Sequence, residues 1–176
     1  MSFKAKPRSI KDIREKAELI RTVTEMAMDT KTEQFPILHF AEIIIPQIAE
    51  DFTFVIGSKE EMGNNLGLTD IKEKTITIRE DVYENAYNGN GRDLFTIVGH
   101  VLLHSEQNIQ QLARTNKETI KPYENPEWQA DTFAAELLMP ASMITEDDTV
   151  FTVARRFGVS YSAARIRLNK LGIINA

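Results

Sequence analysis

The chain has no cysteine, a single tryptophan and three histidines in 176 residues. Without thiols there are no disulfides and no thiolate metal sites, so any bound metal must be held by imidazole and carboxylate. No stretch approaches the roughly 20 apolar residues that a membrane span requires. The opening segment, MSFKAKPRSIKDIREK, lacks the apolar centre of a signal peptide. The expectation is a cytoplasmic protein with no membrane partner. Acidic residues are missing from the end of the chain: 151–176 carries Arg155, Arg156, Arg165, Arg167 and Lys170 and no Asp or Glu. That segment's +5 stands against a net charge of −5 for the whole, leaving −10 for everything before it. Nucleic acid is therefore an unattractive partner for the body and a conceivable one for the tail.

What is present is an ordinary globular composition, 42% hydrophobic and 27% charged. At this length it suits one buried core with a small appendage. Ser9 to about Met28 carries Ile13, Ala17, Leu19, Ile20, Val23 and Met26 at helical spacing, with Ser9 or Asp12 available as a cap. A second helix, from about Ile37 to Glu50, is expected to kink at Pro46. DFTFVI (51–56) and TITIR (75–79) alternate as half-buried strands do and suggest a small antiparallel sheet, with the Gly- and Asn-rich Gly63–Gly67 between them. Asp81 is the candidate cap of a short helix, DVYENAY, ending in the turn residues Asn88–Gly91.

Arg92 to about Leu112 reads as a helix, and Pro122 to Pro126 breaks the chain. Asn125-Pro126 then pairs an N-cap with proline at the first helical position and starts a helix over 127–139. Residues 149–157, the turn Gly158-Val159-Ser160 and 161–171 have a helix-turn-helix pattern, with Ser160 capping its second helix. As a reader of DNA, that second helix offers Arg165 and Arg167 to phosphates or base edges. As a structural appendage it buries its apolar residues against the body.

The chemistry concentrates in FTIVGHVLLHSE (95–106). Residues four apart on a helix lie about 40° apart on one face and one turn apart in height, so His100 and His104 can reach one ion. Phe95, Ile97, Val98, Val101, Leu102 and Leu103 make the helix apolar nearly all round, and buried histidines need partners. A catalytic zinc takes three protein ligands and a water, so one carboxylate must come from elsewhere. Glu127, at the head of the next helix, is the preferred candidate, although the helix dipole also explains an acid there. Asp131 shares Glu127's face; it suits an outer partner orienting an imidazole, or a solvated charge. His39, in ILHFAEIII, reads as a packed histidine, Trp128 as core or pocket wall, and Tyr83 and Tyr87 as packing residues or a phenol for an oxyanion.

The segments GRDLFTIVGHVLLHS and NPEWQADTFAAELLMP resemble the ImmA/IrrE metallo-endopeptidase family, the IrrE N-terminal-like domain, whose members are similar to RFTIAHELGHxLLH and ExxANxFAAELLMP. TITIREDVYENAYNGNGRD also resembles the strand, short helix and turn leading into that family's metal helix, so the likeness covers roughly 35–145. It implies an α+β, zincin-like fold, mostly helical with a small sheet, over 1–145, followed by helix-turn-helix-like helices over 146–176. It also implies a zinc ion on His100, His104 and Glu127, and a helix-turn-helix transcriptional repressor, often of a phage or mobile element, as protein partner.

The match departs from the family at its chemical centre. With His100 and His104 on the two histidine positions, Val101 stands where the family has its glutamate. With GHVLLH kept in register, His100 is the second ligand, three residues including His-Glu are absent, and His104 stands in as a ligand. Either way the general base is missing, which costs about 10²–10⁴ in rate. The expectation is an inactive or weakened relative of a zinc peptidase, with a non-catalytic binding module or a DNA-binding regulator as the other readings.

Overall fold

The computed structural model describes residues 5–48, 52–70, 72–104 and 120–175. Helix α1 (Ile10–Met28) starts at a capping box in which Ser9 and Asp12 satisfy each other's backbone N–H groups. Its buried stripe is Ile13, Ala17, Ile20, Arg21 and Thr24, whereas Leu19 and Met26, expected inward, are exposed. The stripe bends toward Arg21 because that guanidinium is fully engaged. It donates to the carbonyls of Leu137 at 2.8 Å and Thr32 at 2.5 Å and lies over the Phe35 ring.

The second helical stretch has three parts: α2 (Ile37–His39), a π turn (Phe40–Ile44) and α3 (Ile45–Ile48). Pro46 accounts for the π turn, since its ring would crowd the carbonyl four residues back in a regular helix. The Ile45 N–H instead reaches five residues back to Phe40, widening the coil where the proline enters. The expected continuations of this stretch to Glu50 and of the histidine helix to Leu112 lie outside the described residues.

Strands β1 (Thr53–Gly57), β2 (Gly67–Asp70) and β3 (Thr75–Arg79) form one sheet in the order β1-β3-β2. β1 runs parallel to β3, and β2 pairs antiparallel with β3. The sheet is thus mixed: the two strands read from alternation are parallel, and the third lies in the stretch that follows the glycines. Alternation reports which residues face inward but not strand direction. The connection through the short α4 (Lys59–Met62) and β2 is long enough for the crossover that a parallel pair requires. Ile76 and Ile78 of β3 are the sheet's buried face.

Helix α5 (Glu80–Tyr87) has no side-chain cap. Asp81 lies inside its first turn and makes a two-pronged ion pair with Arg79, at 2.6 and 2.9 Å, instead of capping it. Helices α6 (Arg92–His104) and α7 (Pro126–Leu138) pack face to face, and α7 begins at Asn125, whose side chain accepts from the N–H groups of Glu127 and Trp128. The main core gathers Phe40, Leu94, Phe133 and Leu137 with the sheet's isoleucines. A second cluster forms around Val153, Phe157, Ala164 and Leu168, where α8 (Val150–Phe157) and α9 (Tyr161–Lys170) meet the end of α7. Gly158, at φ +65°, makes the left-handed turn between these two helices.

Glu136 joins the two clusters. Only 2% exposed, it takes a two-pronged pair from Arg167 of α9, at 3.0 and 2.6 Å, and another from Arg14 of α1, at 3.1 and 3.2 Å. Burial raises its pKa, but the bonds from Arg167 and Arg14 outweigh that and hold it below the usual glutamate value. Glu136→Gln removes one charge and leaves buried Arg167 uncompensated, so a loss of about 3–5 kcal/mol is expected in denaturant unfolding. Because the folded carboxyl titrates below its unfolded value, its stabilisation is complete above about pH 4.3 and is lost as pH falls through the folded value. The parent's acid unfolding should therefore show a loss that the Gln variant lacks.

Candidate functional site

The crossing of α6 over α7 is set by a missing side chain. A Cβ on Gly99 would lie 3.0 Å from the Ala130 carbonyl oxygen and 3.2 Å from its Cα, so the two backbones touch there. Residues flanking this contact are forced together. His100 Nε2 lies 3.3 Å from Glu127 Oε2, with Glu127 largely in solvent and His100 about one-third exposed. One turn back along α6 and one turn on along α7, Thr96 Oγ1 and Asp131 Oδ1 face each other at 3.5 Å.

His104 sits one turn the other way. Its ring centroid is 5.6 Å from that of His100 with the planes tilted 48°. Both its ring nitrogens are buried, and among the described residues neither makes a well-formed hydrogen bond. Burial and the neighbouring His100 push its pKa down to about 4, against a smaller opposing effect of the Pro126 carbonyl. It is therefore neutral at pH 7, the form that ligates metals. The end of α6 beside it is held by cations: Arg8 donates to the Leu103 carbonyl at 3.1 Å and Lys16 to that of Leu102 at 2.5 Å.

His100 thus has each of the other two expected ligands beside it, and its edge to Glu127 has the right size. Two donors about 2.0–2.1 Å from a tetrahedral ion are about 3.3 Å apart, the His100–Glu127 separation. Even so, among the described residues no three His, Asp or Glu side chains close around a common point. The donor set fits zinc in kind and in that edge, and His104 would have to turn one of its ring nitrogens toward the pair. Asp131, expected to orient an imidazole, lies level with Thr96, on the side of His100 away from His104, and no hydrogen bond joins it to a histidine among the described residues.

Val101, which follows His100, is 7% exposed and packed in the core. A glutamate there would point into hydrophobic side chains. The only acid of α6 is Asp93, two turns before His100, and Glu106 lies outside the described residues. Tyr83 donates to Glu42 at 2.5 Å, Tyr87 is mostly exposed, and Trp128 packs partly buried against the core. Arg167, expected as a possible contact to nucleic acid, is 5% exposed and held by Glu136 and the Met139 carbonyl. Arg165 remains exposed.

Sequence reading missed a groove of about 690 Å³ that begins beside the Thr96–Asp131 pair. It runs between the start of α2, the α6–α7 face and the α8–α9 turn, and His39 stands on its wall. Its walls come from four separate parts of the chain, so no local pattern could reveal it.

Residues 61–169, more than half of the chain, match the IrrE N-terminal-like domain, a peptidase family. The chain belongs to that family. No curated protein matches the sequence closely. A transcriptional regulator of Mycobacterium tuberculosis shares the fold, with a TM-score of 0.55 at 16% identity over 90% of this chain and 47% of that one. The chain thus spans about half of that regulator's length. No helix among the described residues is long and apolar enough to cross a membrane.

Because Gly99 meets backbone rather than a movable side chain, Gly99→Val should push α6 from α7 and cost about 1–3 kcal/mol. Thermal unfolding measures this. A variant as stable as the parent would mean that the helices do not touch at Gly99.

Proposed function

We propose that this chain is a weakened or inactive zinc-peptidase relative that recognises a helix-turn-helix repressor in the cytoplasm and grips it more than it cuts it. The observation that carries this reading is the environment of His100. Its carboxylate partner is Glu127, while its own helix surrounds it with Thr96, Val101 and Leu103 and supplies no acid within a turn. Zinc would be held by His100, Glu127 and His104, and when bound it supplies Lewis acidity toward a carbonyl and lowers the pKa of water. Glu127 cannot serve both as ligand and as general base. The core position of Val101 favours the register in which GHVLLH is intact and the preceding His-Glu turn is absent.

A role in DNA binding draws less support. One of its two expected arginines is spent on Glu136, and Arg165 with its neighbours is a small positive area beside a body of charge −10.

Two measurements test the reading. Elemental analysis after purification with zinc should give about one equivalent, reduced in His100→Ala and in Glu127→Ala; less than about a tenth of an equivalent in the parent would sink the zinc assignment. Co-expression with a helix-turn-helix repressor should yield the repressor intact and bound. Efficient cutting that disappears in His100→Ala would overturn the loss of catalysis.

A further inference from the structure

The groove beside the site has a definite chemistry. Phe35, Ile37 and Phe95 form its buried apolar floor, and Leu138 and Ile166 are the apolar side chains open on its wall, Ile166 at 56% exposed. An apolar wall this open would leave a small molecule largely wet, whereas small-ligand sites bury about 70–90% of their ligand. The occupant is therefore larger than the groove and reaches beyond it. No residue of β1, β2 or β3 lines the groove. An extended peptide would find no strand edge to pair with and would carry unpaired backbone groups into an apolar place. A helix satisfies its own backbone and enters with an apolar stripe.

The charges at the rim choose the rest of that helix. Arg92, at the start of α6, and Lys170, at the end of α9, are exposed lining residues, and neither makes an ion pair among the described residues. The N-terminus of the 13-residue α6 adds positive character at Arg92. Against them stands Asp131, which faces Thr96. Arg167 also borders the groove but is buried, its guanidinium turned to Glu136 and the Met139 carbonyl. The complementary surface is apolar in the centre and acidic at its edges.

We infer that this groove receives an amphipathic helix of a protein partner, with its apolar face on Leu138 and Ile166 and its carboxylates toward Arg92 and Lys170. This rests on the reading above that the chain grips a protein, and it names the surface and the chemistry of the segment gripped. Docking there brings the partner's chain next to Thr96 and Asp131, one turn from His100 and Glu127.

The probe is a synthetic, fluorescently labelled peptide of about four helical turns, with leucines at i, i+3, i+4 and i+7 and glutamates on the flanks. Its twin carries lysines in place of the glutamates. Fluorescence anisotropy should show the glutamate peptide binding the parent about tenfold or more tighter than the lysine peptide. Ile166→Asp, at an exposed position that the fold does not need, should weaken binding by about tenfold or more. The double variant Arg92→Glu, Lys170→Glu should reverse the preference and bind the lysine peptide, a rescue that a misfolded protein cannot give. His100→Ala should bind the glutamate peptide within about twofold of the parent, because the groove does not include that residue. This separates the two readings, since failure of the zinc or cleavage tests leaves peptide binding intact. Equal binding of both peptides, or binding indifferent to Ile166→Asp, would overturn the inference. So would a parent that sediments as a dimer and becomes a monomer on Ile166→Asp, since the occupant would then be a second copy of the chain.

Discussion

The candidate site depends on two helix backbones in contact. Gly99 lets α6 lie directly on the Ala130 carbonyl of α7, and side chains within three residues of that contact then meet at bonding distance instead of across a layer of core. The His100–Glu127 pair, the Thr96–Asp131 pair and the start of the groove are all consequences of that approach. A methyl group at Gly99 would lever them apart together.

Helix α7 can serve as this platform because it is held along its whole length. At its start Asn125 accepts the first N–H groups. At its far end two buried arginines take the carbonyls that a helix leaves unpaired: Arg21 bonds Leu137 and Arg167 bonds Met139. Between them Glu136 ties in α1 and α9. Burying three ions is unfavourable by itself, and the cluster is stable only because each charge has its hydrogen bonds filled. The basic tail is thus drawn into the structure, and its α8–α9 pair becomes a groove wall.

On the proposed reading the site keeps donors for a metal and lacks a positioned base, although among the described residues no three His, Asp or Glu side chains close around one point. The other two donors lie beside His100, and His104 is kept neutral by burial. Beside them α6 presents methyl groups where a carboxylate would have to stand. A site without a positioned base suits the proposed binding role, and the groove beside it is where the proposed partner helix would lie.

Much of this was legible from the sequence. Capping residues and helix breakers are local signals: Ser9, Asn125-Pro126 and Gly158-Val159-Ser160 start or stop helices where they stand, because they act on backbone groups within three residues of themselves. The spacing of His100 and His104 is equally local. Asp81 misled, because its carboxylate had a better partner in Arg79 than the helix N-terminus offered. Strand direction, the burial of Arg21 and Arg167, the level at which Asp131 meets α6, and the groove depended instead on partners up to 116 residues away. The sequence by itself determined where most helices start and stop and roughly where their apolar stripes fall, since those follow from neighbours along the chain, but it misplaced Leu19 and Met26 and passed over β2. Only the tertiary structure decided which charges pair and which side chains share a site, because those energies arise between atoms that no spacing in the sequence brings together.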